Sequence, residues 1–137
     1  MEKYEIIPHT SDVRLKVNGL NLEELFGNAL EGMNSIICGE KIKGNDAIIA
    51  DEIETFSDDS SLLLVDFLSG ILTLTHTKKA IFDNVRFSSL NENYFKAEIS
   101  GFPVNGFDED IKAVTYGETN IVKNIEGYFE TIILFDI

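Results

Sequence analysis

Asp12 closes a His9-Thr10-Ser11-Asp12 cluster just after the first apolar segment, and Asp136 and Ile137 stand at the last two positions of the sequence. The run Ile132-Ile133-Leu134-Phe135 before them reads as a strand buried in a sheet, because leaving that apolar surface in water would forfeit its burial energy. If this strand lies near the first ones, Asp12, Asp136 and the Ile137 carboxylate gather three anionic oxygen ligands, a donor set suited to a hard cation such as Ca²⁺ or Mg²⁺. Clustered carboxylates repel one another unless a cation or a proton joins them. Each residue also has a plainer reading. On local physics alone Asp12 is better taken as a turn former bonding nearby backbone N–H groups, and Asp136 as a solvated charge. His9 suits a packed polar residue better than a ligand, since hard oxygen sites rarely recruit imidazole. Lys112 stands among apolar Ile111, Ala113 and Val114, which reads as a strand residue whose charge reaches water. His76 falls near the end of an apolar segment, where a histidine meets a helix dipole and the last carbonyls.

These groups must be positioned by strands. Residues 4–7 read as a short strand and 13–17 alternate strictly, so the second strand is half-buried, with the cluster in the connection between the two. Asn18-Gly19 turns the chain, and Asn21 with Glu24 three residues on forms a capping-box arrangement that starts a helix. Leu22, Leu25, Phe26, Ala29, Leu30 and Met33 recur at helical spacing, up to a break at Cys38-Gly39. A strand is expected over 47–56. Asp58 and Asp59 then supply capping oxygens for a second helix, 62 to about 75, apolar on most faces and expected to be the central buried element. Strands are expected at 80–88, 94–100, 111–116, 119–123 and 128–135, punctuated by Asn91-Glu92-Asn93, Asn105-Gly106 and Glu126-Gly127. The order ββαβα followed by strands predicts an α+β two-layer sandwich, two helices packed on a largely antiparallel sheet. At 137 residues with 44% apolar, one domain spanning 1–137 is expected.

The charge narrows the partners. A balance of 24 acidic against 11 basic residues, net −13, argues against strong direct nucleic-acid binding and favours basic proteins or cations. Without a basic and then apolar leader, or an apolar run approaching about 20 residues, a cytoplasmic protein with no membrane association is expected. The lone Cys38 excludes an internal disulfide and reads as a small packed hydrophobe. No G-x-x-x-x-G-K-[ST], G-x-G-x-x-G or G-x-S-x-G occurs, so nothing points to a nucleotide cradle or a serine nucleophile.

Taken in order, Tyr4 to Val13, Leu22 to Leu30, Leu63-Leu64-Val65-Asp66-Phe67-Leu68, Ile111-Lys112-Ala113-Val114-Thr115-Tyr116 and the closing Leu134-Phe135-Asp136-Ile137 resemble the archease family over essentially the whole chain. That resemblance implies an accessory protein, itself no enzyme, that activates an RtcB-type RNA ligase in tRNA splicing and RNA repair by promoting its guanylylation and repeated turnover. It implies a divalent metal site, calcium first with magnesium or manganese as alternatives, formed by Asp12, Asp136 and Ile137. Lys112, with Asp12 and Asp136, is implied in activating the partner. Chaperone-like help to a tRNA methyltransferase is the alternative role; a divalent-metal-dependent phosphoesterase using His9 as base is a lesser one. The chain departs from the family pattern at Arg14, where glycine is common, at Phe67, where tryptophan is common, at Gly117, where histidine is frequent, and in a shortened 102–110 loop.

Overall fold

The computed structural model describes residues 2–8, 11–39, 47–117 and 119–137. Within them the elements run β1 (Tyr4–Pro8), β2 (Asp12–Gly19), α1 (Leu22–Cys38), β3 (Ile49–Phe56), α2 (Ser60–Lys78), β4 (Ala80–Leu90), β5 (Tyr94–Pro103), β6 (Ala113–Thr115), β7 (Val122–Lys123) and β8 (Phe129–Asp136). This is the expected α+β order. Both helices start where their caps direct. The Asn21 side chain accepts from Glu24 N at 2.8 Å, while the Glu24 carboxylate reaches back to Leu20 N at 3.2 Å, one residue earlier than the standard capping box. Asp59 accepts from Leu62 N at 2.8 Å and opens α2.

Among the described residues the strands form two sheets, and every pairing is antiparallel. The larger has the order β1-β2-β8-β6, with β7 also on β8; the smaller has the order β3-β5-β4. In β2 the buried residues are Val13, Leu15 and Val17, and in β8 they are Thr131, Ile133 and Phe135, so each strand turns alternate residues to one apolar face. Helix α1 lies against β1, β2, β8 and β4, while α2 touches β3, β4, β5 and β6, and one continuous apolar cluster joins all of them.

Helix α2 is long and apolar enough, with a mean hydropathy of 1.3, to cross a membrane by length and composition. Its large side chains go into the core instead: Leu63, Leu64, Phe67, Leu68 and Ile71 are fully buried. Phe67 meets Phe26 of α1, Phe87 of β4 and Phe95 of β5 at centroid separations of 5.3, 5.6 and 5.4 Å, which puts the aromatic centre of the fold on this helix.

Two expected strands are shorter than the sequence suggests. Only Val122–Lys123 forms a ladder in the 119–123 segment, because side chains take the preceding backbone groups. Asn120 N donates to Thr131 Oγ1, Ile121 N to Ser61 Oγ, and Thr119 Oγ1 to the Ile132 carbonyl. Likewise β6 begins at Ala113, not 111, since the Ile111 carbonyl is engaged by His76.

Strands β4 and β5 approach unusually closely at Gly101. A Cβ there would lie 1.7 Å from the Ile81 carbonyl oxygen, a backbone atom that cannot step aside. Gly101→Ala must therefore part β4 from β5, costing about 3 kcal/mol, the upper end for overpacking. Urea unfolding of the two proteins checks this, and a variant as stable as the parent would contradict the close approach.

Candidate functional site

The pairing of β2 with β8 brings the two ends of the sequence together. Its register places Asp12 directly opposite Asp136, Val13 opposite Phe135 and Arg14 opposite Leu134. Since Val13 and Phe135 face the core, both aspartates share the outward face. Ile137 N donates to the Ser11 carbonyl at 3.4 Å, the bond that flanks a non-hydrogen-bonded pair of an antiparallel ladder. In such a pair the Cα atoms stand only about 4.5 Å apart and the side chains are closest. Asp12 is thus the first residue of a strand, not a turn former, and it is half-buried while Asp136 is exposed.

The other edge of β8 supplies the third element. Ala113 of β6 is the register partner of Asp136, and Lys112 N donates to the Asp136 carbonyl at 2.7 Å. Lys112 itself is exposed. Asp12, Asp136, Ile137 and Lys112 therefore meet at one end of the larger sheet, with β8 in the middle. His9 and Thr10 lie outside the described residues.

The donor chemistry fits a hard cation. Two carboxylates and main-chain oxygens are the ligands that Ca²⁺ and Mg²⁺ prefer, and like charges directly opposite on a sheet are destabilising without a counter-ion. Among the described residues no group of three or more His, Cys, Asp or Glu side chains converges, and Asp12 and Asp136 are the two carboxylates that the register brings opposite each other.

His76, expected to cap its own helix, reaches elsewhere. Its Nε2 lies 3.1 Å from the Ile111 carbonyl and 3.9 Å from Asp110 Oδ1, and its ring meets Phe107 edge-on at 5.5 Å. No local pattern marks this contact, which spans 35 positions. Cys38 packs near the same loop. Burial, with the Asp108 charge second, pushes its thiol above the ordinary range, which suits a packed residue and not a nucleophile. A concavity of about 710 Å³ over the smaller sheet includes Asp51, Glu52, Arg86 and Glu98. Its charges are already paired, Arg86 to Glu98 at 2.7 Å, Lys78 to Asp51 at 2.8 Å and Lys96 to Glu52 at 3.7 Å, so it reads as a solvated face.

The family model for the Archease protein family (MTH1598/TM1083) matches residues 4–137. This chain belongs to the archease family. A curated archease of Methanosarcina barkeri is 32% identical, covering 97% of this chain and 95% of its own. The solution structure of a Methanobacterium thermoautotrophicum protein superposes with a TM-score of 0.76 at 22% identity, covering all of both chains. A Thermotoga maritima crystal structure, described as an archease and possible chaperone, gives 0.66 at 17% identity over 96% of this chain and 94% of that one. The archease fold is therefore shared across the whole length, and the paired aspartates sit where the second strand, β2, meets the last, β8, in this chain.

Two outcomes follow from this geometry. Without divalent cations, Asp136→Asn removes a like-charge cross-strand pair and should stabilise the protein by about 0.5 kcal/mol. Added Ca²⁺ should then raise the melting temperature of the parent more than that of the variant. Calorimetry with and without chelator decides, and equal calcium responses would remove Asp136 from the site. For Cys38, alkylation by iodoacetamide should reach half its maximal rate at a pH above that of a free cysteine peptide, and Asp108→Asn should lower that pH. A midpoint at or below the peptide's would show the thiol to be activated.

Proposed function

We propose that this archease is an accessory protein that activates an RtcB-type RNA ligase in tRNA splicing and RNA repair, promoting ligase guanylylation and repeated turnover while performing no chemistry alone. The observation that carries this reading is the convergence of Asp12, Asp136 and Lys112 at one end of the larger sheet. A divalent cation, calcium first, would be held by Asp12, Asp136 and the main-chain oxygens of Ile137, neutralising the facing carboxylates. Asp12 and Asp136 then present a fixed ligand pair, and Lys112 contributes a positive charge just before the adjacent strand β6.

Electrostatics supports the choice of partner. A ligase that joins RNA ends carries a basic substrate groove, towards which a cytoplasmic protein of net −13 is steered. The same charge makes it compete with RNA, so the encounter is transient. A second reading, chaperone-like help to a tRNA methyltransferase, draws on the description of the Thermotoga protein as a possible chaperone. It requires neither aspartate.

The test is RNA joining by purified RtcB-type ligase at substrate excess, with GTP and divalent metal. The native chain should convert a single round into many. Asp12→Ala and Asp136→Ala should each lower stimulation at least about tenfold, a loss that even indirect partners of a metal site cause. Lys112→Ala should weaken it with cation binding unchanged. Equal stimulation by all variants would discard the site while keeping the role; no stimulation of an active ligase by the native chain would favour the methyltransferase reading.

A further inference from the structure

The segment 104–112 carries Lys112 to its place, and the two helix ends hold it. Lys79, in the left-handed conformation that ends α2 (φ 51°), accepts from Val104 N at 2.9 Å. The Ile37 carbonyl in the last turn of α1 accepts from both Asp108 N at 2.8 Å and Glu109 N at 3.2 Å. Beyond residue 109 the remaining polar tie before Lys112 is His76. A carbonyl oxygen can only accept, so Nε2 carries the proton and donates to Ile111 O. The next backbone N–H is that of Lys112, which donates to Asp136 O. The peptide unit joining Ile111 to Lys112 is thus gripped on both sides, by His76 through its oxygen and by Asp136 through its N–H.

The surroundings favour a fixed imidazole. Phe107 packs edge-on against it, and Ile111, whose carbonyl it holds, is fully buried. The charged group recorded against the ring is the Asp110 carboxylate. Asp110 Oδ1 stands 3.9 Å from Nε2, beyond hydrogen-bond distance, so the Ile111 carbonyl at 3.1 Å is the nearer acceptor.

We propose that His76 is a positioning residue for Lys112. By holding the Ile111 carbonyl it orients the peptide through which Lys112 docks on Asp136, and so fixes the lysine beside the carboxylate pair. The importance of that placement rests on the ligase reading above; the placement does not.

Amide exchange followed by NMR tests it at constant pH. In His76→Ala the Lys112 amide should exchange about tenfold faster, the effect of losing one hydrogen bond that holds its peptide. The amides of residues 13–17 and 131–135 should keep their protection. His76→Gln, whose amide nitrogen can replace Nε2 as donor, should restore the slow exchange. An unchanged Lys112 rate in His76→Ala, a uniform rise across β2 and β8, or a failure of glutamine to rescue would each overturn the proposal. In the ligase assay His76→Ala should lose stimulation in parallel with Lys112→Ala, and His76→Gln should retain it. Full stimulation by His76→Ala would separate the lysine's placement from function and overturn the positioning role. If the native chain itself does not stimulate, the ligase reading falls and the exchange rates still decide the placement.

Discussion

Strand β8 bears most of the architecture of the larger sheet. It pairs with β2 along eight register positions, from Gly19 opposite Phe129 to Asp12 opposite Asp136, and its other edge takes both β6 and β7. One register serves two purposes. Val13, Leu15 and Val17 with Thr131, Ile133 and Phe135 turn inwards under α1, and the same alternation sends Asp12 and Asp136 outwards together. A slip of one residue would reverse both sets, burying carboxylates and exposing Phe135. The cost of that exchange is what locks the repelling aspartates face to face. Core burial thereby sets which residues face each other at the site.

Much of this was legible in the sequence because it depends on patterns of short range. The alternation of residues 13–17, the caps at Asn21 and Asp59 and the all-round apolar α2 each declare themselves within a few positions, and each appears in the structure. The closing apolar run reads as a buried strand for the same reason. What the pattern could not give is which strands are neighbours, so the meeting of Asp12 with Asp136 stood as a condition to be met. The division into two sheets was equally invisible, since alternation reports a buried face and not the sheet that owns it.

The unread details share a cause. Residues 111, 120 and 121 have strand-like surroundings in the sequence, yet their backbone groups are taken by side chains from distant elements: His76 on Ile111, Ser61 on Ile121, Thr131 on Asn120. A β propensity describes a surface that fits a pleated sheet and says nothing of competing partners. The same competition hid the role of His76, whose position at the end of α2 suggested the helix's own carbonyls. A partner 35 positions away leaves no local trace.

Two of the four departures from the archease pattern, Phe67 and Arg14, fall on opposite faces of this arrangement. Phe67 stands where tryptophan is common and makes ring contacts with three other phenylalanines, so a smaller aromatic there is accommodated by a centre built of several rings. Neither the register of β2 nor the outward row depends on it. Arg14, where glycine is common, lies on the outward face two residues from Asp12 and opposite Leu134, diagonal to Asp136. A guanidinium there adds fixed positive charge beside the carboxylates without adding volume to the core. Because inward and outward residues alternate along the same strands, a change of core volume and a change of field at the site remain separable, and the fold can keep its register while the electrostatics around Asp12 and Asp136 change.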